Sequence, residues 1–332
     1  MLKDSNRALW HEYDLAMLDL DGVVYIGPDA VDGVAERLEQ AVEAGMHLAY
    51  VTNNASRPPR VVAEHLTRLG IPARDDEVVT SAQAAARLLA ERLLPDSAVF
   101  VIGGAGLFEA LAEEGLRPVQ STEDQPVAVV SGYNPDLPWS TVTDGAILVK
   151  NGLPWVASNT DLTVPTPQGP GPGNGVLVEA VARFAGREPL VAGKPLPPLF
   201  EETRRRVEGT RPLVIGDRLD TDIEGGQNTG LDTLLVLTGV TGVSELVSAP
   251  PNQRPSYISP GLEGLAEVHR APRRQPDGFE LGGWRAAAQH GTVKIDGEGS
   301  VGDWWRVLAT AAWSYLDETG ECVDVSTTSP PR

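Results

Sequence analysis

Leu15-Ala16-Met17-Leu18-Asp19-Leu20-Asp21-Gly22-Val23-Val24-Tyr25 carries two carboxylates, two residues apart, at the end of an apolar run and just before a glycine. Leu15 to Leu18 reads as a short buried strand with Asp19 at its C-terminal mouth. In open α/β sheets that edge is where ligands bind. A carboxylate there can act as a nucleophile or a metal ligand, and a second one nearby can manage a proton. Asp-Gly is also an ordinary turn signal. The rest of the chain decides between the two readings.

Outward from this strand, apolar runs alternate with helical patterns, which predicts a largely parallel sheet covered by helices. Val31 to Gly45 reads as a helix ending at glycine, and His47 to Val51 as a strand that delivers Thr52, Asn53 and Asn54 to its end. Pro58-Pro59 opens a helix running to Leu69-Gly70, since proline is tolerated in a first turn. Ser81 to Leu94 is a further helix with Ser81 as its N-cap. Val99 to Ile102 and Val127 to Val130 read as strands of a second sheet. Residues 81–188 then form an inserted α/β domain, closing with Gly173-Asn174-Gly175 and the helix Val176 to Ala185. The first layer resumes at Leu190-Val191-Ala192 and continues through Pro212 to Ile215 and Thr233 to Leu237.

The expected fold is therefore α/β: a Rossmann-like, doubly wound parallel-sheet core (1–80 and 189–270) with an inserted α/β cap (81–188). The Pro-, Arg- and Gln-rich stretch from Arg270 to Gly278 reads as a linker. A short strand-helix appendage (275–325) follows, with Thr292 to Ile295 as its strand and Val301 to Glu318 as its helix. Trp304, Val307, Leu308, Ala311, Ala312, Tyr315 and Leu316 recur there at helical spacing, which predicts an apolar face packed on the main body or on a partner subunit.

The chain has 332 residues, 41% hydrophobic and 22% charged, as expected of a soluble globular protein with a substantial core. A net charge of −19 argues against nucleic acid and anionic membranes as partners, because phosphate backbones attract clusters of Lys and Arg. Any anionic substrate needs a locally positive site. The lone Cys322 has no partner in the chain for a disulfide, which makes a reducing cytoplasm the expected compartment. No signal-peptide pattern and no apolar run of about 18 residues is seen.

Four polar clusters fall at predicted strand ends: Asp19/Asp21, Thr52-Asn53-Asn54, Gly193-Lys194-Pro195, and Gly216-Asp217-Arg218-Leu219-Asp220-Thr221-Asp222. Each has a bland reading alone, as a cap, a turn or a surface charge. Together they match phosphoryl transfer, which needs an in-line nucleophile, a divalent cation and donors on the non-bridging oxygens. Asp19 would attack phosphorus and form an aspartyl phosphate. Mg2+ prefers oxygen ligands, and the Asp19 and Asp217 carboxylates with the Asp21 backbone carbonyl suit it. Thr52, the Asn53 backbone N–H and Lys194 would hold phosphate oxygens, with Gly22 in the same set. Asp21, protonated first, would donate to the leaving alkoxide and then activate water. Gly193-Lys194 is no P-loop, since Pro195 stands where Ser or Thr is required. The Asp19 cluster lacks the third carboxylate and distal Glu of an EF-hand.

On these four motifs, in this order, the chain resembles haloacid-dehalogenase-superfamily phosphatases of the NagD and 4-nitrophenylphosphatase-like branch, over residues 12–268. The resemblance implies that Asp222 is an outer-shell partner of Lys194 or of a metal-bound water, and that the insertion is the branch's α/β cap. Ala157-Ser158-Asn159-Thr160-Asp161 and Pro172-Gly173-Asn174-Gly175 resemble its cap segments, making Asn159 and Asn174 substrate-binding candidates beside Asn54 and Arg57. Asp220 reads as an exposed turn residue. Some actinobacterial members carry a C-terminal piece resembling a fragment of an acetyltransferase fold and are linked to glycerol 3-phosphate hydrolysis. The expected activity is thus a Mg2+-dependent phosphatase of a small-molecule phosphomonoester, glycerol 3-phosphate first. Pyridoxal phosphate, phosphoglycolate and nucleotide or sugar phosphates are the alternatives. A phosphomutase would reuse the same core. A non-catalytic phosphoester-binding regulator with a Trp-rich interaction tail is the alternative of a different class. A homo-oligomer through the cap or the tail is a further expectation.

Overall fold

The computed structural model describes residues 2–166 and 168–331. The chain forms two compact units, 1–48 with 208–332 and 49–207. The second takes in the whole 81–188 stretch expected as an insertion, together with its flanks.

In the first unit four neighbouring parallel strands follow the order Tyr257–Ser259, Asp232–Val236, Pro212–Gly216, Leu15–Leu18. All of Leu15–Leu18 and of Pro212–Gly216 is buried, which is why these strands read as continuous apolar runs without alternation. Helix Val34–Glu43 buries Val34, Leu38 and Ala41, one stripe at helical spacing. It ends before Gly45, whose φ of +93° suits the chain reversal.

The tail differs from expectation. Arg273–Gln275, expected in a linker, is a strand, and with Gly278–Leu281, Trp284–Gln289 and Thr292–Gly297 it builds a four-stranded antiparallel sheet. Three of these strands were missed because they are short or rich in Arg, Gln and Ala, with Gly at their bends. The helix Val301–Thr319 is N-capped by Ser300, whose Oγ accepts from Asp303 N at 3.1 Å. Trp304, Trp305, Leu308, Ala309, Ala312 and Trp313 pack into one cluster with Leu219, Ile223, Leu235, Leu246, Val247 and Ile258. Val307 and Ala311 face Phe279 and Ala286 of the small sheet. The apolar face of the tail is therefore buried within its own unit, the first of the two outcomes expected for it. Trp313 Nε1 donates to Leu246 O at 2.7 Å, and Arg254 forks onto both oxygens of Asp317 at 2.7 Å each.

The second unit holds a five-stranded parallel sheet ordered Leu190–Val191, Trp155–Ala157, Ala128–Ser131, Ala98–Ile102, Arg117–Val119. Leu190–Val191 was expected to resume the first layer; instead Val191 aligns with Ala157 at the edge of this sheet. Two residues carry too little pattern to choose a sheet. Residues 50–52 of strand His47–Thr52 run parallel to Val78–Thr80, with Thr52 opposite Thr80. Helix Ser81–Ala90 is capped by Thr80 rather than by Ser81, the Thr80 side chain accepting from Gln83 N. Ser81 Oγ donates instead to Asn53 O. Among the described residues no helix is long and apolar enough to cross a membrane.

Candidate active site

Asp19 and Asp217 leave the ends of adjacent parallel strands. Leu18 pairs with Ile215, and Asp19 N extends the ladder to Ile215 O at 2.9 Å. A π-helical turn, Leu219–Ile223, then brings Asp222 back over Gly216, with Arg218 N donating to Asp222 Oδ2 at 3.2 Å. One carboxylate oxygen from each of Asp19, Asp217 and Asp222 lies within 4.8 Å of the others, and Asp217 and Asp222 are buried. Two unit charges at that spacing repel by about 3 kcal/mol at an effective dielectric constant of about 20. A divalent cation relieves that repulsion, and three carboxylate oxygens are the donor chemistry Mg2+ selects. Asp222, expected as an outer-shell partner of Lys194 or of a metal-bound water, lies beside Asp19 and Asp217.

The Asp217 carboxylate is boxed by backbone. Val240 N donates to Oδ2 at 2.6 Å, while Thr241 donates both N–H and hydroxyl to Asp217 O. A Cβ on Gly22 or on Gly239 would overlap the carboxylate, and Gly22 adopts φ +84°. Gly22 thus acts through its missing side chain. Thr238 Oγ1 donates to Gly22 O. This Thr238-Gly239-Val240 wall was not anticipated; its signal was a Thr-Gly turn directly after the buried strand Asp232–Val236. Asp21 is exposed just before the turn, in which Gly22 N donates to Tyr25 O at 2.8 Å, and Tyr25 Oη donates to Asp21 Oδ2 at 3.4 Å. Asp220 is exposed and ion-paired with Arg218 at 2.8 Å, as a turn residue should be.

In the second unit Thr52 and Asn53 are buried at the end of their strand, and Thr52 Oγ1 accepts from Asn54 N at 3.1 Å. Asn54 Oδ1 accepts from Ser56 N and Oγ, closing a local turn. Arg57 is exposed. Lys194 is 4% exposed, and its ammonium donates to Val51 O at 3.3 Å. The Asn53 side chain bonds both backbone groups of Lys194. Asn159 and Asn174 are buried: Asn159 Nδ2 donates to Asn53 O and Asn174 Nδ2 to Asn159 O, both at 2.7 Å. The cap segments thus reach Asn53.

Two family models match the chain, a haloacid dehalogenase-like hydrolase over residues 16–117 and a HAD-hydrolase-like model over residues 191–265. The D-glycerol 3-phosphate phosphatase of Mycobacterium tuberculosis is 40% identical over 318 residues, covering 92% of this chain and 88% of that protein. The acid sugar phosphatase of Staphylococcus aureus is 33% identical over 262 residues, 78% of this chain and 99% of that protein. Among solved structures, the glycerol phosphate phosphatase of M. tuberculosis in complex with magnesium matches with a TM-score of 0.84 at 40% identity, over 93% of this chain and 92% of that one. NagD from Escherichia coli K-12 matches with a TM-score of 0.68 at 29% identity, over 76% and 97%. The chain belongs to the haloacid dehalogenase superfamily of hydrolases. The expected enzyme class, a phosphatase using magnesium, agrees with these relatives.

Proposed function

We propose that this chain hydrolyses glycerol 3-phosphate through an aspartyl phosphate on Asp19, with Mg2+ as cofactor. The observation that carries the chemistry is the convergence of Asp19, Asp217 and Asp222 at adjoining strand ends. The substrate rests on the M. tuberculosis relative, whose match covers 92% of this chain and so runs into the appendage. The cation held by Asp19, Asp217 and Asp222 would neutralise charge on the phosphoryl oxygens.

In the first step an Asp19 oxygen bonds phosphorus, the ester P–O bond breaks, and Asp21 gives its proton to the departing alkoxide. Water then surrenders a proton to Asp21 and attacks the same phosphorus, releasing inorganic phosphate and regenerating the Asp19 carboxylate. Exposure suits Asp21 to this exchange with water. Thr52, the Asn53 N–H and Lys194 are assigned to the non-bridging oxygens, where donors stabilise developing charge. Lys194 is the positive charge that an anionic substrate needs on a chain of −19.

Residues 81–188 are assigned as the cap that selects the leaving group, and the compartment as the cytoplasm, on the single Cys322. The tail's apolar face is already used within its own unit, so a homo-oligomer would draw on the cap, 81–188, where Trp139 and Phe184 are exposed.

A panel of about a hundred phosphorylated metabolites, scored as kcat/KM for phosphate release with Mg2+, tests this reading. Glycerol 3-phosphate should rank first. A better pyridoxal phosphate, phosphoglycolate, nucleotide or sugar phosphate would replace the substrate and leave the chemistry. No release from any ester would remove the enzyme reading in favour of a binding protein, and turnover only with a bisphosphate added would mark a mutase.

A further inference from the structure

We infer that the Asn53 side chain is a positioning residue for Lys194, and that Asn159 and Asn174 act through Asn53 rather than on the substrate. The inference rests on the assignment of Lys194 to a phosphate oxygen and deepens it. Asn53 Oδ1 accepts from Lys194 N at 2.8 Å while Asn53 Nδ2 donates to Lys194 O at 3.1 Å. One side-chain amide thus grips both backbone groups of a single residue, as a neighbouring strand would. The grip needs close approach: a Cβ on Gly193 would run into Asn53 Oδ1 and Ser158 O. With its backbone fixed on Asn53 and its ammonium on Val51 O, Lys194 is held at both ends.

Asn53 is itself braced. Its carbonyl accepts from Ser81 Oγ and from Asn159 Nδ2, and Asn159 O accepts in turn from Asn174 Nδ2. Asn53 Nδ2 also lies 3.1 and 3.2 Å from the two Asp161 carboxylate oxygens. Asn53, Asn159, Asn174 and Lys194 are each at most 9% exposed. Burying polar groups costs least when they are paired, and this relay pairs the Asn53 and Asn159 amides and the Asn174 Nδ2 in a line that ends at Lys194, leaving only Asn174 Oδ1 of the relay without a partner. Only an amide offers an acceptor and two donors in one plane. Aspartate would keep the acceptor, lose both donors and set a second carboxylate against Asp161.

The test is a double-mutant cycle between Asn53→Ala and Lys194→Ala in the full chain, with inorganic phosphate as a competitive inhibitor of the best substrate in the panel. Asn53→Ala should raise the phosphate Ki and the KM at least tenfold. In the Lys194→Ala background it should change them less than twofold. Asn174→Ala, one link further out, should raise both about threefold, again only when Lys194 is present. Should Asn53→Ala fail to fold, Asn53→Ser replaces it, with the same loss of effect expected in the Lys194→Ala background. An equal effect in both backgrounds, or a lowered melting temperature with Ki unchanged, would overturn the positioning role alone. An unchanged Ki in Lys194→Ala itself would overturn the phosphate assignment and the inference with it.

Discussion

Backbone confines the Asp217 carboxylate: Val240 N–H donates to one oxygen, and a Cβ on Gly22 or Gly239 would collide with it. Replacing Gly239 by Ala should therefore displace the carboxylate and raise the Mg2+ concentration for half-maximal activity at least tenfold, with an unchanged far-ultraviolet circular dichroism spectrum; an unchanged Mg2+ titration would contradict it. Asp21→Asn keeps the shape and removes the proton carrier, so kcat should fall by about 10²–10⁴ while phosphate still competes, a comparison steady-state inhibition makes directly. At this scale Asp19, Asp21, Thr52, Lys194 and Asp217 were legible because each is a polar residue breaking an apolar run at a strand end. Asp222 is legible as a further carboxylate of the same cluster, and the π-helical turn Leu219–Ile223 is what brings it back over Gly216. Asn159 and Asn174 were legible as residues of interest but not in role. A sequence does not reveal which carbonyl a buried amide meets.

Parallel strands declare themselves by unbroken apolar runs, and Leu15–Leu18, Pro212–Gly216, Asp232–Val236, Ala98–Ile102 and Ala128–Ser131 are readable on that ground, whereas the three-residue strands Tyr257–Ser259, Trp155–Ala157 and Arg117–Val119 are too short to carry the pattern. The tail was half readable. Its helix carries Trp304, Val307, Leu308, Ala311 and Ala312 at helical spacing, whereas its strands hold few side chains that prefer a sheet and turn through Gly282, Gly283 and Gly291 at positive φ. The helix is the element whose removal should cost most. Trp313 is 3% exposed and bonded to Leu246 O, so Trp313→Ala should lower unfolding free energy by about 3–5 kcal/mol, and Trp313→Phe by about 1 kcal/mol for the lost hydrogen bond. Urea denaturation measures both. Truncation near Arg270 should expose Leu235, Leu246 and Ile258 and lead to aggregation; a monodisperse truncated chain with an unchanged melting temperature would contradict the packing.

Across the whole molecule, pH acts on stability through His269, which lies beneath the tail helix. It is 1% exposed, its Nε2 is 2.9 Å from Gly264 O, and Arg306 is nearby. Burial, and then the Arg306 charge, push its pKa from 6.5 down to about 4. Between these values the unfolded chain takes up a proton that the folded one refuses. The histidine's contribution is thus complete above pH 6.5 and lost as pH falls toward 4, by about 3 kcal/mol at most. Urea midpoints at pH 7.5, 6 and 5 should fall more steeply for the native chain than for His269→Gln; parallel slopes would contradict this.

The central claim is that Asp19 is the nucleophile of a Mg2+-dependent phosphatase. Its most direct measurement is phosphate release from glycerol 3-phosphate by the purified chain and by Asp19→Asn, each with Mg2+ and with EDTA. Release confined to the native chain with Mg2+, and abolished by Asp19→Asn in a protein that still folds, is the predicted result. Comparable release by Asp19→Asn, or release that EDTA leaves untouched, would contradict it.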